Sequence, residues 1–232
     1  MIIKKHGSGK WFACICVEQT IQAKKKEGRK AIGIDVGIKH FLTDSEGRKI
    51  ENPKFYQRTL QRIKIVQHWL SKKRKGSKNR EKQRVKLVKR YERLVNQRDD
   101  YLHKLSRFYV NNYDVIAVED LNIRGMVRNH NLAGKILDAS WSKFLQMLSY
   151  KAENAGGVVI KINPRGTSKE GDKNLDRDYR AALNILMRGW GSPKTLAEMR
   201  PLLVNVPASL IVEAGSPQAL AVGSSPTFVS RQ

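Results

Sequence analysis

Short apolar runs alternate with long polar stretches along this chain, and their periods predict its elements. Residues Ala31-Ile32-Gly33-Ile34-Asp35-Val36-Gly37 form one such run and Val115-Ile116-Ala117-Val118-Glu119 another. The second, spanning 113–119 as a strand, is apolar throughout its centre, as a strand buried on both faces should be. Phe41-Leu42-Thr43-Asp44 and Lys49-Ile50-Glu51 flank a Ser45-Glu46-Gly47 turn and read as a hairpin. With 31–37 they make a meander of three strands. A further strand covers Val158–Ile162, and residues 8–19 read as a strand paired with 2–5.

Helical periods fill the intervals. Residues 54–74 and 79–109 predict two helices broken at Lys75-Gly76-Ser77, and in the second Val88, Tyr91, Leu94, Val95, Leu102 and Leu105 recur near a 3.6 period. A helix at 138–155 stops at Gly156-Gly157. The last regular element is a helix at 177–188. Asn122–Leu137 and Pro164–Gly171 read as loops, residues 20–30 as a basic linker around Lys24-Lys25-Lys26, and residues 189–232 as a mostly disordered tail. Strands interleaved with helices place the chain in the α/β class.

Charge then narrows the partners. The chain has 232 residues and a formal net charge of +24, from 45 Lys+Arg against 21 Asp+Glu. Residues 53–108 alone hold 19 Lys+Arg and 4 Asp+Glu, a net +15. Charge of one sign self-repels and offers few i,i+4 ion pairs, so this hairpin reads as a polyanion contact rather than a merely solvated face. Nucleic acid is the expected partner. A membrane is not expected, because no apolar run approaches about 18 residues. No signal peptide follows Met1-Ile2-Ile3-Lys4-Lys5-His6, so a cytoplasmic setting is expected. Cys14 and Cys16 share one face of a strand and read as small core residues; with no further Cys/His pair at ligand spacing, no zinc is expected.

The candidate chemistry lies in three acids. Asp35 and Glu119 close apolar strand runs, and Asp178 opens a helix in Asp176-Arg177-Asp178-Tyr179-Arg180-Ala181-Ala182-Leu183-Asn184-Ile185. If the two strands pair, their carboxylates meet, and two such groups repel unless a proton or a cation intervenes. A third from the helix completes an oxygen site suited to Mg²⁺ or Mn²⁺. Paired ions of this kind activate water and stabilise the leaving oxygen of a phosphodiester. Taken singly, Asp35 also suits a turn, Glu119 a strand-end cap, and Asp176 or Asp178 a helix N-cap.

These segments resemble the RuvC-like nuclease part of the TnpB/OrfB family of insertion-sequence proteins. The resemblance runs from Lys10 to Leu186. It is carried by Gly33-Ile34-Asp35-Val36-Gly37, the Lys72-Lys73-Arg74-Lys75-Gly76-Ser77-Lys78-Asn79 turn, Val118-Glu119-Asp120-Leu121-Asn122, Asn163-Pro164-Arg165-Gly166-Thr167-Ser168, and Asp176-Arg177-Asp178 with Ala181-Ala182-Leu183-Asn184-Ile185. The family implies an RNase H-like fold of RuvC type, with a mixed sheet flanked by helices and an inserted basic helical hairpin. It implies Mg²⁺- or Mn²⁺-dependent DNA cleavage guided by a transposon-derived RNA, with no small-molecule cofactor. Position by position, Asp35, Glu119 and Asp178 fall on its catalytic, metal-binding triad. Lys72, Lys73, Arg74, Lys75, Lys78, Arg80, Arg84, Arg124, Arg128 and Arg165 are the expected nucleic-acid contacts.

Departures from the family qualify the expectation. Its zinc ribbon should lie between the Pro-Arg-x-Thr-Ser loop and the last aspartate, but Lys169–Asp176 fills that interval with no cysteine. Residues 1–28 read as only the last strands of the family's N-terminal region, and Arg180 replaces an expected asparagine. The expected organisation is therefore a remnant N-terminal segment at 1–28, a nuclease domain at 29–188 with the hairpin at 54–109, and a tail at 189–232. The expected activity is a metal-dependent DNA endonuclease impaired by truncation. The rival is a catalytically inactive DNA- or RNA-binding remnant of a mobile element.

Overall fold

Two crossing arrangements, a five-stranded sheet and a helix laid directly on it, set up the rest of the molecule. The computed structural model describes residues 1–18, 30–168 and 174–190. An antiparallel ribbon of β1 (Ile2–Lys5) and β2 (Trp11–Cys14) stands apart from the sheet. The sheet contains β3 (Ala31–Val36), β4 (His40–Asp44), β5 (Lys49–Glu51), β6 (Val115–Glu119) and β7 (Val158–Ile162), in the order β5-β4-β3-β6-β7. β3, β4 and β5 are an antiparallel meander, and β6 and β7 run parallel to β3. That order and those directions are the RNase H-like arrangement.

Helices cover both faces. Between β5 and β6 come α1 (Phe55–Ser71) and α2 (Lys78–Asn112), whose 35 residues extend for about 50 Å at ~1.5 Å per residue. Ser77 begins α2 by accepting the Arg80 N–H at 3.2 Å. Next come α3 (Ile123–Met126), α4 (His130–Ala139) and α5 (Trp141–Asn154), and after β7 comes α6 (Arg177–Trp190). Among the described residues no helix is long and apolar enough to cross a membrane.

Alternation along β3 and β6 divides the core in two. Ile32, Ile34, Ile116 and Val118 pack with Leu102 and Tyr109 of α2 and with Trp141, Phe144 and Leu148 of α5. Val115, Ala117, Ile160 and Ile162 face the other way and pack with Ile185 of α6. Each fully buried aliphatic side chain contributes roughly 1.5–3 kcal/mol, so the first face supplies most of the burial. On the second face α6 lies against the strands almost without side chains between them. A Cβ at Gly33 would stand 2.2 Å from the Ala182 carbonyl oxygen, and one at Gly189 would stand 2.5 Å from the Ala117 Cβ. Glycine at both points lets the helix backbone meet the sheet.

Several expectations need correction. Asn122–Leu137 is not a loop: Asn122 accepts the Gly125 N–H at 2.9 Å to begin α3, and Asn129 accepts the Asn131 N–H at 3.1 Å to begin α4. The helix expected at 138–155 is α5, Trp141–Asn154, and its first two expected residues, Asp138 and Ala139, end α4 instead. Ser140 sits in the left-handed region at φ 56° and breaks the backbone between α4 and α5. The strand expected at 8–19 is reduced to β2, and Cys14 and Cys16 are exposed rather than core. A two-stranded ribbon has two faces and no layer of its own to cover them. β6 starts at Val115, because α2 continues to Asn112. Most of the basic linker, Lys169–Lys173, and all but the start of the predicted tail lie outside the described residues.

Candidate active site at the carboxyl edge of the sheet

Alternation also decides where the strand carboxylates point. Gly33 pairs with Ala117 and Ile34 with Val118, and continuing this parallel register sets Asp35 beside Glu119. Both acids share the face of Gly33 and Ala117, the face that α6 covers. Asp176 caps α6, its Oδ1 accepting the N–H groups of Asp178 at 3.1 Å and Tyr179 at 3.2 Å. Capping is thus done by Asp176, and Asp178 is left with its carboxylate near the sheet edge.

The three charges act on one another there. Burial pushes the Asp35 carboxyl up to about 7; the charges of Glu119 and Asp178 push in the same direction, and Arg177 opposes them. Burial also raises Glu119, against the lowering effects of a hydrogen bond from Thr167 and the charge of Arg188. A cluster that prefers to hold a proton near neutrality is equally a cluster that a cation would relieve.

Side chains outside the predicted set position these acids. Buried Thr167 donates from its hydroxyl to Glu119 Oε1 at 2.5 Å. The Asn184 side-chain amide donates to the Thr167 carbonyl at 2.6 Å, and Arg188 donates to the Arg165 carbonyl at 2.8 Å. Arg180, where the family pattern expects asparagine, donates to the Ser168 carbonyl at 3.0 Å. One helix therefore holds the 163–168 loop, and that loop holds Glu119. The signals in the sequence were Thr167 within the Pro-Arg-x-Thr-Ser segment and a polar Asn184 inside an apolar helical run.

The donor set is hard oxygen throughout, the chemistry that suits Mg²⁺ or Mn²⁺. The acids share a face and an electrostatic field without sharing a coordination sphere: among the described residues no group of three or more His, Cys, Asp or Glu is placed to hold a metal ion. Glu119 is engaged by Thr167, and the Arg177 guanidinium donates to Asp178 Oδ1 at 3.2 Å.

The expected nucleic-acid contacts fall in three places. Lys72, Arg74, Lys75 and Lys78 are exposed around the α1–α2 turn, with Lys73 half-buried and the Lys72 ammonium 5.8 Å from the Trp69 ring centre. Arg80 turns inward and donates to the Leu70 carbonyl at 2.9 Å and the Lys73 carbonyl at 3.1 Å, closing the end of α1. Arg84 is exposed but paired with Glu81 at 2.6 Å. Arg124 borders an open cleft of about 460 Å³ beyond the end of β6, together with Gln146 and Lys161. Arg128 and Arg165 are exposed in the segments that follow β6 and β7.

Two family models match stretches of the chain, and several known proteins resemble it. The OrfB_IS605 family model, described as probable transposase, matches residues 14–130, and a model described as Cas12f1-like, TNB domain, matches residues 141–173. A putative RNA-guided DNA endonuclease of Streptomyces pristinaespiralis is 33% identical over 221 residues, 86% of this chain and 55% of that protein. The putative RNA-guided DNA endonuclease InsQ of Escherichia coli (strain K12) is 29% identical over 176 residues, 69% of this chain and 44% of that protein. The CRISPR-associated endodeoxyribonuclease Cas12f1 of Sulfoacidibacillus thermotolerans is 27% identical over 186 residues, 72% of this chain and 42% of that protein. A cryo-EM structure of a Cas12f1–sgRNA–target DNA complex overlaps 74% of this chain and 40% of its own, at 18% identity and a TM-score of 0.48. The chain spans about half the length of the curated relatives it matches.

Proposed function

The chain belongs to the OrfB_IS605 family, and we propose that it is a transposon-associated, nucleic-acid-binding protein with a RuvC-like, divalent-metal-dependent DNA endonuclease core. Residues 29–188 are the nuclease unit. Asp35, Glu119 and Asp178 would hold Mg²⁺ or Mn²⁺, which when bound supplies an activated water and charge stabilisation at the leaving oxygen. The observation that supports this reading is that Asp35 and Glu119 end adjacent parallel strands on the face that α6 covers, with the charges of Glu119 and Asp178 both felt by Asp35, which is pushed up to about 7. Thr167 orients Glu119, and Arg177 donates to the Asp178 carboxylate. The basic turn of the α1–α2 hairpin grips phosphates without reading bases, and a guide RNA paired to DNA is the substrate the relatives' names suggest.

The cysteine-free Lys169–Asp176 interval limits the activity expected. Cleavage needs the scissile phosphate held in line, and a ribbon beside the site would help to hold it. Weak nicking of single-stranded DNA, favoured by Mn²⁺, is the activity proposed, rather than guided double-strand cleavage. The test incubates purified protein with Mg²⁺ or Mn²⁺ and single-stranded DNA, and separately with a matching guide RNA and target plasmid. Nicking that is absent from the Asp35→Ala and Asp178→Ala variants supports the reading. No metal-dependent nicking in the native chain leaves a nucleic-acid binder without catalysis.

A further inference from the structure

A second cavity opens at the same end of β3, on the side away from α6. It measures about 440 Å³ and is lined by Ile38, Lys39, Asn52, Lys54, Gln57, Lys135 and Asp138. Its three lysines come from three separate places: the β3–β4 turn, the residue before α1, and α4. None of them forms an ion pair among the described residues.

The single carboxylate in the cavity does not balance them. Asp138 is buried and already committed, accepting the Tyr56 N–H at 2.9 Å and pairing with the Arg98 guanidinium at 3.2 Å. It caps α1 and neutralises Arg98, so its charge is spent inside the fold. Three exposed lysines around one cavity leave it with a positive field that an anion would relieve. Of the other lining groups, the Gln57 amide brings N–H donors, while the Asn52 amide donates to the Ile38 carbonyl at 3.1 Å and braces the wall.

We propose that this cavity is a phosphate-binding subsite for the nucleic-acid strand that leads to Asp35, a role that rests on the nuclease reading above. Position supports it. Lys39 follows Asp35 by four residues, so their Cα atoms are at most about 14 Å apart. That is on the order of four nucleotide rises. A strand anchored by Lys39, Lys54 and Lys135 crosses the carboxyl edge of β3 to reach the α6 face. The subsite then supplies part of the in-line positioning that the three acids cannot provide themselves.

The test measures binding of fluorescein-labelled single-stranded DNA in EDTA by anisotropy, across a range of salt. Each phosphate contact in a single strand adds about 0.7 to the slope of log affinity against log salt. The Lys39→Gln/Lys135→Gln double variant is expected to lower that slope by about 1.4 and to weaken binding severalfold. A Lys39→Arg/Lys135→Arg variant is expected to restore both. An unchanged slope in the glutamine variant overturns the subsite, and so does equal competition by polyglutamate matched in charge to the DNA, which would assign the cavity to acidic protein. Cleavage by the native chain is measured in parallel. A lowered slope with no metal-dependent cleavage keeps the phosphate site and removes the nuclease reading; cleavage with a flat slope does the reverse.

Discussion

The carboxyl edge of the sheet and the tip of the α1–α2 hairpin both concentrate like charges, yet they do so under opposite physical conditions. At the edge the acids are partly buried, and burial together with mutual repulsion moves Asp35 to about 7. At the tip the cations are mostly exposed, and their partners are local: Lys72 lies over Trp69, and Arg84 pairs with Glu81 three residues away. Exposed charges more than about 8 Å apart are screened at physiological salt, whereas buried ones are not. The edge is therefore built for coupling and the tip for counting. Changing one acid should alter the chemistry steeply. Changing one base should alter affinity by a small, salt-dependent step.

The largest expected effect is at the edge. Asp35→Ala should reduce metal-dependent nicking at least about 10³-fold, as loss of a member of a catalytic group does. DNA affinity at low salt should be unchanged. A nicking assay beside an anisotropy titration checks both halves, and a parallel fall in affinity would dissolve the distinction between the two regions.

The same coupling makes a stability prediction with a definite sign. Asp35 moves from an ordinary 3.8 to about 7 in the fold, so the folded chain holds this proton more tightly than the unfolded chain. Stability without metal should therefore fall as pH rises from about 4 to 7, and the whole cost should be present above 7. A shift of that size is on the order of 4 kcal/mol, spread over the interacting acids. Asp35→Asn should accordingly raise Tm in EDTA at pH 8 by several degrees, and the gain should vanish near pH 4. Thermal melts at the two pH values measure it.

The hairpin should respond less steeply. Lys72→Glu, Lys73→Glu, Arg74→Glu and Lys78→Glu together should weaken nucleic-acid binding about 100-fold near physiological salt and flatten the salt slope by about 3. Nicking at saturating DNA should survive. Arg80→Ala should instead lower Tm, because Arg80 closes the end of α1 rather than facing solvent.

The two regions also differ in how far the sequence discloses them. The hairpin is local: a run of one-signed charge on helical periods, broken at Gly76, contains nearly everything that defines it. At the edge, the apolar runs place Asp35 and Glu119 at strand ends, and period-2 alternation aligns them once β3 and β6 are known to pair. The sequence marks Thr167 and Asn184 as unusual but does not join them to Glu119, because Thr167 lies 48 residues away and Asn184 a further 17. The approach of α6 depended on Gly33 and Gly189, which in sequence look like ordinary strand and helix glycines. α4 was missed for a different reason. Its stretch carries Gly134 and two asparagines, turn-formers by composition, and only the capping geometry of Asn129 turns it into a helix.

The smallest effect tests whether the edge is tuned as well as assembled. Thr167 donates to Glu119, and that bond opposes the upward push of burial on the Glu119 carboxyl. Thr167→Val keeps the shape and removes the donor, so Glu119 should hold its proton to higher pH. Ionised Glu119 is the form that ligates a cation, so the rising limb of the nicking pH profile should move to higher pH, with rates on that limb falling about tenfold, on the scale of one lost charge-assisted hydrogen bond at roughly 1.5–3 kcal/mol. Thr167→Ser keeps the hydroxyl and should restore the profile. If Thr167 only braced the 163–168 loop, valine would lower Tm and slow nicking equally at every pH. A displaced profile that serine returns is therefore the signature of a residue acting through Glu119, and a uniform loss is the signature of scaffold alone.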